Sequence, residues 1–241
     1  MHTKIFLSIA GLLLLAGSAN AQIINAFVQG STTGSFKTMS VDGAFSSTNN
    51  PTTMALTGSS ELVMCFVRST SSQPTSITDS KGLTWTMRAS GNTAGGAYVS
   101  EWWAISPSSG SDTITANYSG GAFAHSIFFC IILATSSTPF DPNSSVPVLS
   151  NTTSTSGATP VSPISTNVSH DMILASYLTN ASEGTVTYPA GFTQTTSAGT
   201  ATDVSYQIVT TVQSGISPTY SWTGTAPAVG IFDAVQAAFG P

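Results

Sequence analysis

Four pairs of segments recur in the same order along the chain at nearly constant spacing, and this repetition limits the fold more than any single motif does. "ELVMCFVRS" from Glu61 matches "DMILASYLT" from Asp171, and "GLTWT" from Gly82 matches "GFTQT" from Gly191. "ITANYSG" from Ile114 matches "PTYSWTG" from Pro218, and "IFFCII" from Ile127 matches "IFDAVQ" from Ile231. The offsets run from 110 residues for the first pair to 104 for the last. Collinear matches of this kind predict two copies of one multi-strand unit. The units are expected over residues 22–136 and 155–241, joined by a Pro/Ser/Thr-rich crossover at 137–154 that contains "STPFDPNSS".

Within each unit, short apolar or alternating runs are separated by Gly, Pro, Asn, Ser and Asp. Leu62 to Val67, Leu83 to Met87, Tyr98 to Ile105, Ala124 to Leu133, Met172 to Leu178, Val204 to Val212 and Val229 to Ala237 read as strands, and none shows a 3.6-residue period. Serine and threonine supply roughly three residues in ten, while the long helix formers are scarce. The expected fold is all-β: one antiparallel β-sandwich domain over 22–241, jelly-roll-like and built from the two duplicated units, with two tandem immunoglobulin-like domains as the alternative. Leu62, Met64 and Phe66 alternate with Val63, Cys65 and Val67, so both faces of this strand must be covered. The cover is expected from the other unit, a long loop or a partner subunit.

Residues 1–21 read as a secretory signal peptide, with Lys4 as the positive region, Ile5 to Ala16 as the apolar core and Ala19-Asn20-Ala21 as the cleavage site. The mature chain then starts at Gln22 and is secreted or held at the cell surface, in the periplasm or outside the cell. No later segment approaches eighteen apolar residues, so no membrane span is expected in the mature chain. Of the five Lys and Arg residues one is Lys4, which leaves four against ten Asp and Glu, a net charge of −6. Phosphate neutralisation needs clustered cations, so nucleic acid is excluded as a partner.

Cys65 aligns with Ala175 and Cys130 with Ala234, positions that take a small side chain in the second unit. In an exported protein this pair predicts a structural Cys65–Cys130 disulfide, with two buried thiols as the alternative. His125 and His170 have no zinc-type spacing, and no G-x-S-x-G elbow is present. Asp79 and Asp141 lie in turns without the ligand density of a calcium loop, so neither a metal nor a cofactor is expected. Glu61 and Asp171 stand at equivalent strand entries, which points to a repeated turn role. Glu101 shares a strand face with Val99 and Trp103, but no second carboxylate is in view for a glycosidase pair, and no catalytic residue is assigned. Trp102 points the other way together with Tyr98. An exposed pair of this kind is a platform for sugar rings, so Tyr98 and Trp102 are the candidate glycan contacts.

Cys65, Trp85 on the next strand and Cys130 resemble the cysteine and tryptophan pattern of the immunoglobulin sandwich, although the gap from Cys65 to Trp85 is longer than usual there. "ITDSKGLTWT" from Ile77, "EWWAISP" from Glu101, "DTITANYSG" from Asp112, "PFDPN" from Pro139 and "DMILA" from Asp171 are more similar to the duplicated β-sandwich modules of secreted bacterial proteins and phage structural proteins. That resemblance implies an extracellular or particle-surface sandwich and carries no transferable functional residues. The expected function is therefore a secreted non-enzymatic structural or surface-recognition protein. A carbohydrate-binding module and a virion or appendage component are the alternatives, with glycoside hydrolysis last. Surface glycan or other copies of the chain are the expected partners.

Overall fold

The computed structural model describes residues 35–69, 72–93, 96–119, 124–132, 138–151, 157–158, 163–179, 185–197, 202–224 and 227–240. The leader expected at 1–21 lies outside the described residues. The chain divides into two units, Met1–Ser35 with Phe239–Pro241, and Phe36–Ala238. Of the first, Ser35, Phe239 and Gly240 are described. The second holds the four sheets that follow.

The described residues form antiparallel strands and no helix. The first half contributes β1 (Ser35–Phe36), β2 (Ser40–Ser47), β3 (Thr52–Leu56), β4 (Glu61–Ser69), β5 (Ser76–Asp79), β6 (Thr86–Asn92), β7 (Tyr98–Ser106), β8 (Gly110–Asn117) and β9 (Ala124–Ile132). The second half contributes β10 (Val148–Asn151), β11 (Asp171–Thr179), β12 (Val186–Thr187), β13 (Thr193–Ser197), β14 (Thr202–Val209), β15 (Ser221–Trp222), β16 (Ala228–Gln236) and β17 (Phe239–Gly240).

Two five-stranded sheets dominate. The first has the order β2-β9-β4-β7-β6 and the second β10-β16-β11-β14-β13. Position for position these orders correspond, with β4 and β11 at the two centres. The remaining strands form a three-stranded sheet, β3-β8-β5, and a two-stranded sheet, β12-β15. Single bridges from Ala158 to Ser221 and from Ile164 to Ile216 add to the second half.

Side-chain alternation then fixes the layers. Leu62, Met64 and Phe66 of β4 pack with Met172, Leu174 and Leu178 of β11 in one core, so the two five-stranded sheets meet face to face. Val63, Cys65 and Val67 turn the other way, against Met54, Leu56, Ile77 and Ile114 of the three-stranded sheet. Ile173, Ala175 and Tyr177 likewise pack on Ile164, Tyr220 and Trp222. The result is four layers with three apolar seams, and all nine residues of β4 and all nine of β11 are buried. This answers the cover question: the other half of the same chain lies on one face of β4 and the three-stranded sheet on the other. Each large apolar side chain fully buried here contributes about 1.5–3 kcal/mol, so the two central strands carry much of the stability.

The structure departs from the sequence reading at the sheet edges. Residues 137–154 are not a plain crossover, because Phe140 bridges to Val235 and β10 pairs with β16. The few apolar residues of β10 are hidden among Pro, Ser and Asn. The strand expected at Leu83 to Met87 is shifted to Thr86–Asn92. Gly82 (φ 73°) and Gly191 (φ 81°) shape matching turns just before β6 and β13, a left-handed geometry that favours glycine.

Candidate functional site

Trp102 is not an exposed platform. It is only 7 % exposed, it packs under the three-stranded sheet, and its indole Nε1 donates to Ser100 Oγ at 2.9 Å. Tyr98 is half-buried at the start of the same strand. The alternation of β7 was read correctly, but the layer that covers its outer face comes from β3, β5 and β8, which no local pattern in β7 reveals.

The two cysteines lie on neighbouring strands at diagonal positions. Cys65 stands opposite Phe128, while Cys130 stands opposite Val63. Diagonal neighbours in an antiparallel pair are about 7–8 Å apart, beyond the roughly 4.4–6.8 Å between Cα atoms that a disulfide spans. Cys65 is buried as a thiol, and the side chain of Cys130 lies outside the described residues. That of His125 does also. His170 is stacked on Phe36, with ring centroids 4.4 Å apart.

Glu101 has the acidic neighbour that the sequence did not reveal. It is fully buried on β7, facing the seam between the two five-stranded sheets, where Asp233 of β16 approaches from the opposite side. Arg88 joins them. It is the extra residue of a bulge in β6, between Met87 opposite Trp102 and Ala89 opposite Glu101, and bulges re-aim side chains. Its Nε donates to Asp233 Oδ2 and its Nη2 to Asp233 Oδ1 at 2.8 Å, while the guanidinium lies 3.7 Å from the centre of the Phe140 ring. Trp103 meets Phe140 edge-on at 5.2 Å. Burial first, and Asp233 next, push the Glu101 carboxyl well above the usual carboxylate range, with Arg88 pulling the other way. Neither Glu101 oxygen accepts a hydrogen bond. Its acid form is thus favoured beside the Arg–Asp ion pair, with no solvent-exposed surface of its own.

A second acidic arrangement occurs twice. Asp42 is the extra residue of a bulge in β2, between Val41 opposite Ile131 and Gly43 opposite Cys130. Asp141 follows Phe140, which pairs with Val235, the counterpart of Ile131 in the repeat. Asp42 accepts from the N–H of Thr57 at 3.0 Å and from its hydroxyl. Asp141 accepts from the N–H groups of Asn143, Asn167 and Val168 at 2.7–3.0 Å. Each turn then passes through a left-handed residue, Ser60 (φ 62°) or His170 (φ 67°), into a buried carboxyl, Glu61 or Asp171. Burial and then Asp42 raise Glu61 to about 7, against hydrogen bonds from Gly58 and Thr57. Burial and then Asp141 raise Asp171 to about 8, against the Thr166 hydroxyl. The strand-entry role expected for Glu61 and Asp171 thus has partners: Asp141, read from the sequence only as a turn carboxylate, and Asp42, which lay unnoticed in "VDG".

The other turn carboxylates are occupied by donors of their own. Asp79 accepts from the N–H groups of Lys81 and Leu83 and from Trp85 Nε1 at 2.7 Å, and Asp112 accepts from Ser80. No group of three or more His, Cys, Asp and Glu side chains with metal-binding geometry occurs among the described residues. One open cleft of about 410 Å³ lies beside the β12–β13 turn, lined by Pro189, Phe192, Gln207, Ile216, Pro218 and Thr219 among others. Comparison with protein-family models, with curated proteins and with solved structures returns no match to this chain. Among the described residues the candidate chemistry thus comprises internal carboxyl pairs, a buried ion pair and an open cleft.

Proposed function

We propose that the chain is a secreted, non-enzymatic structural or surface-recognition protein: a stiff body of two jelly-roll-like sandwiches, copies of one unit, stacked through their larger sheets. The observation that carries this reading is the complete burial of β4 and β11 between layers of the same chain. Such a body has no central sheet face left to offer, so contacts with a partner fall on loops, turns and sheet edges. The strand order β2-β9-β4-β7 against β3-β8-β5 supports the jelly-roll path, and the matching order of the second half supports the duplication. The leader-like residues 1–21 support export. The enclosure of Glu101 supports a role without hydrolysis.

Recognition of a glycan is the second reading, now through the cleft around Phe192 and Gln207 rather than through Trp102. Its mix of a half-buried ring, two prolines and polar side chains suits a sugar face. The deciding experiment combines a glycan array, a panel of polysaccharide hydrolysis assays and light scattering on the chain from Gln22. Retention on a surface, or defined self-association, is expected without turnover. Hydrolysis that is lost in Glu101→Gln would refute the reading.

A further inference from the structure

We propose that the two strand-entry turns are proton-binding sites, in which Asp141 with Asp171, and Asp42 with Glu61, each hold one proton between two carboxyl groups and so fasten the turn to its central strand. The case begins with the donors. Three backbone N–H groups converge on Asp141, and Thr57 supplies both of its donors to Asp42. Donors gathered around a carboxylate favour its anion and disfavour a bound cation at the same oxygens. The partner carboxyls differ. Asp171 is fully buried with the Thr166 hydroxyl as the one donor acting on it among the described residues, and Glu61 accepts Gly58 N–H at 2.6 Å on Oε1, while its Oε2 is buried without a partner. These donors offset the burial of a second anion only in part, whereas the acid form donates to the neighbouring carboxylate.

Among the described residues no positive charge relieves either pair. Asp171 is flanked across the sheet by Val209 and Gln236, and Glu61 by Ser106 and Ile132. Asp141 is the one charged group acting on Asp171, and Asp42 the one acting on Glu61, among the described residues. His170, next to Asp171, is stacked on Phe36 and bonded to Ser169 Oγ. The same device occurs at matching places in both halves, each time after a left-handed residue. Both carboxyls titrate above their ordinary value in the folded state, so folding takes up protons that the unfolded chain has released. The contribution is complete below the ordinary carboxyl range and is lost as pH rises through about 7 for Glu61 and about 8 for Asp171. In that window the folding constant falls by up to about tenfold per pH unit for each site.

The test is urea unfolding of the full chain from pH 5 to 8, comparing wild type with Glu61→Gln/Asp171→Asn, whose amides cannot ionise. Glu101 and Asp233 are unchanged in both proteins, so the difference isolates the turns. The wild-type folding constant is expected to fall with pH at least tenfold more than that of the double variant over this range. Parallel profiles would overturn the proposal. Should the variant not fold, carbon-13 carboxyl titration of the wild type decides: a midpoint for Asp171 above pH 6 is expected, and one below pH 5 overturns it. Calcium added at pH 7 is expected to leave the wild-type unfolding midpoint unchanged, and a rise that the double variant lacks would assign the sites to a cation instead.

Discussion

Replacing Arg88 with leucine removes the cation paired with Asp233 at the seam between the two five-stranded sheets and leaves Asp233 facing Glu101. Asp233 is wholly enclosed and Arg88 is 18 % exposed, so little water reaches the pair. The substitution deletes both guanidinium hydrogen bonds, after which Asp233 retains only the Ala234 N–H, at 2.8 Å. Breaking a buried pair by removing one partner costs about 3–5 kcal/mol, and the lost contact with the Phe140 ring adds about 0.5–2 kcal/mol. The charge left behind, rather than lost attraction, is the main penalty. Arg88→Leu/Glu101→Leu/Asp233→Leu should therefore recover most of the loss, because apolar replacement of a whole buried ionic cluster is often neutral or better. Urea denaturation at pH 5 and pH 8 reads both effects. The Arg88→Leu penalty should be smaller at pH 5, where the Glu101 carboxyl, held above its usual range, is more readily protonated. A penalty below about 1 kcal/mol, or a triple variant as damaged as the single one, would refute the reasoning.

Trp102→Ala should lower stability by about 3–5 kcal/mol while leaving retention on any bound glycan intact, measured by denaturation and pull-down, because the ring fills core and not a platform. Thiol titration of the chain unfolded without reductant should find two thiols, as the diagonal register of Cys65 and Cys130 implies. Ser60→Gly should stabilise the fold by about 0.5–1 kcal/mol in the same denaturation assay, since glycine adopts the left-handed backbone of that turn without a Cβ penalty. Tyr220→Phe should cost about 1–3 kcal/mol, because the phenol bridges Ser205 Oγ and the Ala175 carbonyl, both at 2.6 Å, in a buried layer.

The central strands were legible because their composition admits one reading. A strand such as Glu61–Ser69, apolar on both faces, must sit between two layers, and its match at Asp171 places an equivalent strand in the second half. Edge strands were not legible for the opposite reason. Ser40–Ser47 and Thr86–Asn92 need little burial, are rich in Ser and Gly, and each carries a bulge that breaks the period of two. Those bulges place Asp42 and Arg88, so the chemistry of the turns and of the seam was hidden with them. Arg88 and Asp233 lie 145 residues apart, and nothing local to either names the other. Glu101 was noticed as a carboxylate among aromatics. Its neighbour could have been sought among the acidic residues of the second half that interrupt apolar runs, where Asp233 stands out in "IFDAV".

The seam between the larger sheets is unequal. By register, the counterpart of Glu101 in the second half is Val204, and the counterpart of Asp233 in the first half is Phe129. Two identical chains meeting about a twofold axis must place every facing residue twice, so a lone charge on one side of the axis is forbidden to them. Tethering the halves lifts that requirement. Within one polypeptide an ion pair can stand at one position of the strand pattern without standing at its counterpart. A half expressed alone, or paired with its own copy, would lose that ion pair while keeping the same strands.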